Sequence, residues 1–534
     1  MITGGDAVYE TLKAVGVDCV FGIPSQQNLG LYDALARHGD IRVIGTRHEQ
    51  GAVHAADGYA RATGRLGVAI VSTGPGTANA VSGLYEAGFA SSPVLLIPSQ
   101  VDTPYLGKGR GYIHEADGQS GMLQSVTRCT SQVRYADEIS RVMRNVITDI
   151  LTGRPQPGAV EIPSDLLLAE VQETSAEFSY PKAIIADSAI LEQVSQRLAS
   201  AKRPLLWVGG GCADAADEVR QLAEQLNCLV VSSINGRGVM PYHHPLYVGC
   251  QTHLPAFNKL LAEADLVLAI GTRFQAVASQ YWHQPMPRSL IHVDIDHSVI
   301  GRNYPVEIAV VADAAMALSG ILAGLDQRYC DESFRRLATL TGEDLSATVS
   351  ELVGPDHQFI VECINRLRPP ECPVIGDATT TVNTWGHYLL AVDSPRLAHY
   401  STGLAIGPAL AIALGAAIGT GQKTLAIHGD GGAMLNICEL ATAVQECAPL
   451  VVFVFNDGGY GVLKELQRIS TGREYAVELH TPDFVALARA MGMPGELVAS
   501  CEGFESALET ALSVDGPYLI EVDLNSLSPI RMFA

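Results

Sequence analysis

At 534 residues the chain exceeds one ordinary domain, and its 47% hydrophobic and 17% charged residues can fill several large cores. A formal net charge of −22 argues against unaided nucleic-acid binding, and eleven scattered Cys without a C-x-x-C pair read as reduced thiols of a cytoplasmic protein, not a disulfide framework. The start Met1-Ile2-Thr3-Gly4-Gly5-Asp6 has no basic segment leading into an apolar one, and the most apolar run, 403–419, is broken by Gly407, Pro408 and Gly415, so neither a signal peptide nor a membrane span is expected.

The first part of the chain alternates helix and strand patterns. Residues 6–15, 28–38 and 50–63 carry helical apolar faces, while 19–22, 41–44 and 66–72 are short apolar runs. A glycine-rich turn and a further helix follow, and the unit closes near 159–163. Such alternation predicts a parallel sheet covered on both faces.

A polar stretch over 173–187 reads as a linker. A second series has strands over 204–208, 229–232, 266–270 and 289–294 and ends near Leu325. A third begins near Pro355, with strands over 373–375, 424–428, 450–455 and 518–522 and a helix over 434–446. The expected fold is α/β: three doubly wound parallel-sheet domains spanning 1–172, 188–326 and 355–534.

Chemistry concentrates in the third series. The strand over 425–428 runs into Gly429-Asp430-Gly431-Gly432, and that over 450–455 into Asn456-Asp457-Gly458-Gly459-Tyr460-Gly461. Glycines let backbone approach phosphate oxygens, and Mg²⁺ takes hard oxygen ligands such as carboxylates, carbonyls and diphosphate. Both Asp residues fall at carboxyl ends of strands, where α/β sheets bind ligands.

This pair of turns resembles the thiamine diphosphate motif, G-D-G followed by N-N, of the family that includes acetolactate synthase, benzoylformate decarboxylase and pyruvate decarboxylase. The resemblance covers essentially the whole chain. It implies pyrimidine-binding, central and diphosphate-binding domains in that order, with thiamine diphosphate and Mg²⁺ as cofactors. The implied metal ligands are Asp430, Asp457 and the carbonyl of Gly459, with Asp457 standing where the family usually has Asn. Thr379 and Thr380 match diphosphate-binding positions, and Gly429, Gly431, Gly432 and Tyr460 complete that cofactor wall. In Ser401-Thr402-Gly403-Leu404-Ala405-Ile406-Gly407, the resemblance makes Ile406 the wedge between the cofactor rings and the carbonyl of Leu404 an acceptor for the 4′-amino group. Gly74 and Asn79, in the turn from Ser72 to Asn79, would lie beside the pyrimidine.

Glu49, in Arg47-His48-Glu49-Gln50-Gly51-Ala52, matches the cofactor-activating glutamate. A carboxyl group bonded to N1′ stabilises the imino tautomer, whose nitrogen removes the thiazolium C2 proton. A protein that merely bound the cofactor would not need it. The implied reaction is decarboxylation of a 2-oxo acid through a C2-thiazolium enamine. The alternative is a carboligase like acetolactate synthase, which passes the enamine to a second carbonyl.

Three residues bear on that choice. Gln26 takes the place of an active-site Asp or Ser of the decarboxylases. His114 aligns near the paired histidines of pyruvate decarboxylase and near a Phe-Gln pair of acetolactate synthase. Leu463 falls where pyruvate decarboxylase carries a catalytic Glu, which suggests a substrate with an apolar or extended side chain. Gly209-Gly210-Gly211 after a central strand is a candidate nucleotide contact. Gly271-Thr272-Arg273-Phe274 resembles the flavin-containing relatives, but Gln275-Ala276-Val277-Ala278 does not, so FAD is not expected. The family's cofactor lies between two subunits, which implies a homodimer or homotetramer acting on a small 2-oxo acid, with no nucleic-acid or membrane partner.

Overall fold

The computed structural model describes residues 2–172, 177–326 and 331–531. Of the expected linker, 173–176 lie outside the described residues; 177–187 have no regular structure.

Three six-stranded sheets carry the chain, as expected. The first runs, edge to edge, Arg42–Gly45, Cys19–Gly22, Gly67–Val71, Val94–Gln100, Gly158–Pro163, Cys129–Gln132, all parallel. Its central strands Gly67–Val71 and Val94–Gln100 are buried along their whole length because both faces are covered. Along Gly67–Val71, Val68 and Ile70 enter one core, while Ala69 and Val71 enter the other.

The second sheet runs Tyr247–Gly249, Leu229–Ser232, Pro204–Val208, Leu266–Ile270, Leu290–Asp294, Ile308–Val311, again parallel. The glycine run beside it has a packing explanation. A Cβ on Gly209 would lie 2.1 Å from the carbonyl oxygen of Gly271, and one on Gly211 2.8 Å from the Gly271 Cα.

The third sheet repeats the order of the first: Ala398–Tyr400, Val374–Gly376, Thr424–Gly429, Leu450–Asn456, Tyr518–Asp523, Gly495–Val498. The expected helix over 434–446 is broken. A short turn of helix, Asp430–Ala433, is followed by a bend and then Glu439–Gln445. In the bend the Asn436 side chain donates to the Gly407 carbonyl at 2.9 Å, a tertiary bond that competes with helix continuation.

Two compact units result. Residues 182–371, 380–399 and 526–534 form one around the second sheet. Residues 1–181, 372–379 and 400–525 form the other, so the first and third sheets share a body. Their junction is a helix pair, Glu49–Thr63 against Ala409–Thr420. A Cβ on Gly58 would sit 1.9 Å from the Ile412 carbonyl oxygen, and one on Gly415 1.8 Å from that of Ala55. Paired contacts of 58 with 412 and 55 with 415 mean the helices run past one another in opposite senses. The helix Ala409–Thr420, source of the apolar run, is buried from Ala409 to Ala417 between the two domains' cores. Among the described residues no helix is long and apolar enough to cross a membrane.

Candidate active site

Parallel pairing of Thr424–Gly429 with Leu450–Asn456 aligns Gly429 with Phe455, so Asp430 and Asp457 emerge side by side at the carboxyl ends of neighbouring strands. Asp430 is 1% exposed, and neither carboxylate oxygen makes a hydrogen bond of good geometry. Burial, and then the charge of Asp457, raise its pKa far above the usual carboxylate range; the nearby Gly431 and Gly459 amides only temper this. Burial also raises Asp457. Two largely desolvated carboxylates facing each other are unstable unless a proton or a cation joins them.

Lys464 accounts for part of how the chain tolerates Asp at 457. Its Nζ donates to the Asp457 carbonyl at 3.2 Å, pairs with Glu478 at 3.3 Å, and draws the Asp457 pKa down. Sequence reasoning passed over it. The signal available was a lysine seven residues beyond an acidic substitution at a ligand position. Among the described residues no cluster of three or more His, Cys, Asp or Glu gathers here, so any octahedron must draw on carbonyls, water or a ligand's oxygens.

Around the carboxylates the glycines leave room for nothing else. A Cβ on Gly429 would stand 2.7 Å from the Thr379 hydroxyl oxygen, one on Gly431 2.6 Å from the Tyr460 ring, and one on Gly432 2.2 Å from a carboxylate oxygen of Asp377. Gly459 lies in the same turn as Asp457 and turns its backbone N–H toward both carboxylates. Thr380 is half-buried and opens the next helical turn. Asp377, 2% exposed, was not foreseen. Its carboxylate accepts the Gly407 amide at 2.8 Å and faces His428 Nδ1 at 3.2 Å. It therefore fixes the end of the 401–407 turn. Leu404, exposed, has φ +60°, a left-handed conformation that costs a non-glycine residue energy. Ile406 is half-buried two residues on.

Glu49 is the half-buried first residue of its helix. Its Oε2 accepts from Asn79 Nδ2 at 2.9 Å. A Cβ on Gly76 would approach Oε1 to 3.1 Å, so glycine there keeps that oxygen open. The turn beneath is braced by Gln119, which accepts the Gly74 amide at 2.7 Å and in turn donates to buried Glu161 at 2.8 Å. Gly74 has φ +59° and carries the His114 carbonyl against it. His114, exposed and itself at φ +61°, brings Nδ1 to 3.3 Å from the Ser72 hydroxyl.

Gln26 is exposed, whereas its neighbour Gln27 is 3% exposed and accepts from the same Ser72 hydroxyl at 3.3 Å. Gln27 and His114 thus share the Ser72 hydroxyl. Leu463 is 47% exposed on the helix Gly461–Thr471, which buries none of its residues and shows Leu466 and Ile469 on the same face.

The chain holds two half-sites that it does not bring together. Opposed helix directions put Glu49 nine residues to one side of the Gly58–Ile412 crossing and Ile406 six residues to the other. At 1.5 Å per residue this separates them by roughly 20 Å along the helix axes.

The model for the thiamine pyrophosphate enzyme N-terminal TPP-binding domain matches residues 2–122, that for the central domain 191–321, and that for the C-terminal TPP-binding domain 378–522. The chain is 34% identical over 530 residues to a probable 2-ketoarginine decarboxylase of Pseudomonas aeruginosa, covering 98% of this chain and 94% of the relative. It is 32% identical to the acetolactate synthase isozyme 3 large subunit of Escherichia coli, with 98% and 95% covered. It is 30% identical to the isozyme 2 large subunit of the same organism, with 99% and 97% covered.

Proposed function

The chain belongs to the thiamine pyrophosphate enzymes, and on that premise we propose that it is a Mg²⁺-dependent 2-oxo acid decarboxylase whose site is completed by a second copy of itself. Bound thiamine diphosphate supplies a carbon nucleophile and an electron sink for loss of CO₂. Everything else falls to the chain's own groups.

The observation that carries the reading is the Asp430 carboxylate, buried without a hydrogen bond of good geometry, facing a second carboxylate. That pair, with the Gly459 carbonyl, is a hard-oxygen donor set suited to Mg²⁺ and to the diphosphate it would anchor. Gly429, Gly431 and Gly432 leave the backbone of this turn bare, which suits a diphosphate lying close to it. Leu404 and Ile406 present a carbonyl and an apolar wedge to the rings. Glu49, oriented by Asn79, holds a carboxyl group for N1′ of the pyrimidine. These two half-sites lie on opposite ends of the helix pair, so one cofactor touches both only across two chains. Exposed Tyr85 and Phe89, stacked at 6.0 Å, and exposed Leu404, Met434 and Leu435 give the apolar surface for that contact.

Decarboxylation is favoured over carboligation by His114. Held by Ser72 in the wall next to Glu49, it offers an imidazole that can protonate the carbon from which CO₂ has left, giving an aldehyde. The probable 2-ketoarginine decarboxylase among the relatives supports the same outcome; the acetolactate synthases support the second reading, carboligation. The open Leu463–Leu466 face fits a 2-oxo acid with an extended or apolar side chain. Incubation with pyruvate and with longer straight and branched 2-oxo acids, followed by product identification, decides. Aldehyde in stoichiometric yield with CO₂ is expected. A condensed 2-hydroxy-3-oxo acid as main product would replace this reading with the second.

A further inference from the structure

We propose that Glu439 and Glu86 are reciprocal positioning residues: each, from one domain, fixes the turn by which the other domain of the same chain presents its half of the active site. The proposal rests on the roles given above to Glu49 and to the 404–406 turn.

Glu439 is fully buried. One of its oxygens accepts the backbone N–H of both Arg47 and His48, at 3.0 and 3.1 Å; the other accepts the Thr442 hydroxyl at 2.6 Å. Those amides belong to the turn that enters the Glu49–Thr63 helix, where donors lack helical partners. The helix backbone rests on the carboxyl group: a Cβ on Gly51 would stand 2.3 Å from it. Glu49 is the residue immediately after the two clasped amides.

Glu86, 1% exposed on the helix Pro75–Ala90, repeats the device in the other direction. It accepts the Thr402 amide at 2.6 Å and the Gly403 amide at 2.9 Å, and Arg61 holds it at 2.8 Å. A Cβ on Gly403 would come within 2.8 Å of it. Leu404, in its strained conformation, follows directly. Burial alone would raise the Glu86 pKa, but Arg61 and the two amides hold it below the usual range.

The two glutamates are counterparts by topology. Each lies on the first long helix after the third strand, in sequence, of a sheet with the same strand order. Each clasps the turn that enters the other domain's member of the antiparallel helix pair. A buried carboxylate on an apolar helix face costs more than a leucine would, unless all its bonds are made. Here they are made to main-chain amides of the turns that present the half-site groups, which is expensive as packing and well suited to holding geometry.

The test uses the holoenzyme and the variants Glu439→Gln, Glu439→Ala and Glu86→Gln. Amide hydrogen exchange is followed over peptides spanning residues 44–51 and 400–408, alongside kcat, KM and the dissociation constant of thiamine diphosphate from fluorescence quenching. The Glu439 variants should accelerate exchange at 44–51 but not at 400–408, with Ala stronger than Gln. They should lower kcat about 10-fold or more and leave KM and cofactor affinity within about threefold. Glu86→Gln should accelerate exchange at 400–408 and spare 44–51. If Glu439→Ala does not fold, the graded response is read from Glu439→Gln. Equal acceleration at both turns would mean general loosening and would overturn the proposal. So would a folded Glu439 variant with normal exchange or normal kcat. Should Glu49→Gln retain full turnover, the functional reading fails instead, whatever the exchange pattern.

Discussion

The first and third sheets share one strand order and each positions a carboxyl group for the cofactor, yet the two carboxyl groups are electrostatically opposite. Glu49 is half-exposed, has Asn79 as a donor, and keeps one oxygen free over Gly76. Asp430 is buried, makes no hydrogen bond of good geometry, and faces Asp457. The first arrangement waits for a neutral hydrogen-bonding nitrogen; the second waits for a cation. A duplicated scaffold thus yields two different chemistries because burial and the nearest charge, not topology, decide what a carboxyl group can do.

That contrast is broken most severely at the cation side. Asp430→Ala should abolish turnover, by about 1000-fold or more, and should also remove Mg²⁺-dependent binding of thiamine diphosphate, since the hard ligand itself is lost. Isothermal titration with Mg²⁺ present checks this; unaltered cofactor affinity would mean the cation sits elsewhere. Glu49→Gln should cost less, about 100-fold or more in kcat, and leave cofactor affinity nearly intact, because a general-acid/base function is removed while the shape is kept. Steady-state kinetics beside the same titration separate the two phenotypes. If both variants lost binding alike, the division of labour drawn here between the half-sites would be wrong.

Co-expression of those two inactive chains sharpens the point. A mixed dimer has one site carrying both lesions and one carrying neither. Random assortment should therefore restore about a quarter of wild-type activity if each site is shared between two copies. Sites built within one chain would give none. The unfractionated mixture, assayed beside wild type, distinguishes the cases without any structure of the dimer, and selecting mixed dimers through two affinity tags should raise the recovery to about half.

Much of this was legible in the sequence, for identifiable reasons. The strands over 204–208, 229–232 and 266–270 were readable to the residue because strands buried on both faces are unbroken apolar runs. The turns carrying Asp430 and Asp457 were readable because glycine and aspartate types are dictated locally. Long-range bonds were not readable. The helix expected over 434–446 breaks at Asn436 for the sake of Gly407, nearly thirty residues earlier in the chain. Nothing local marks Glu86, Glu439 and Asp377 as buried acids, although Glu439 sits beside Leu440 and Ala443 on a face that the fold buries. The shared body of the first and third sheets was also unreadable, since it depends on Gly58 and Gly415 meeting backbone 350 or so positions away.

The smallest expected effect concerns protons at the cation side. Burial and the Asp457 charge raise the Asp430 pKa to about 7, against about 4 in an unfolded chain. Between those values the folded apo chain holds a proton that the unfolded chain has released. The group's contribution to apo stability is therefore fully present below the lower value and is lost as pH rises through the window. Bound Mg²⁺ takes the place of that proton, so binding releases it, and metal-linked stabilisation must grow over the same range. Melting temperatures with and without Mg²⁺ and thiamine diphosphate, from about pH 5 to about pH 8, should diverge by a few degrees as pH increases. Asp430→Asn, which neither holds the proton nor repels Asp457, should flatten the apo curve and lose the divergence.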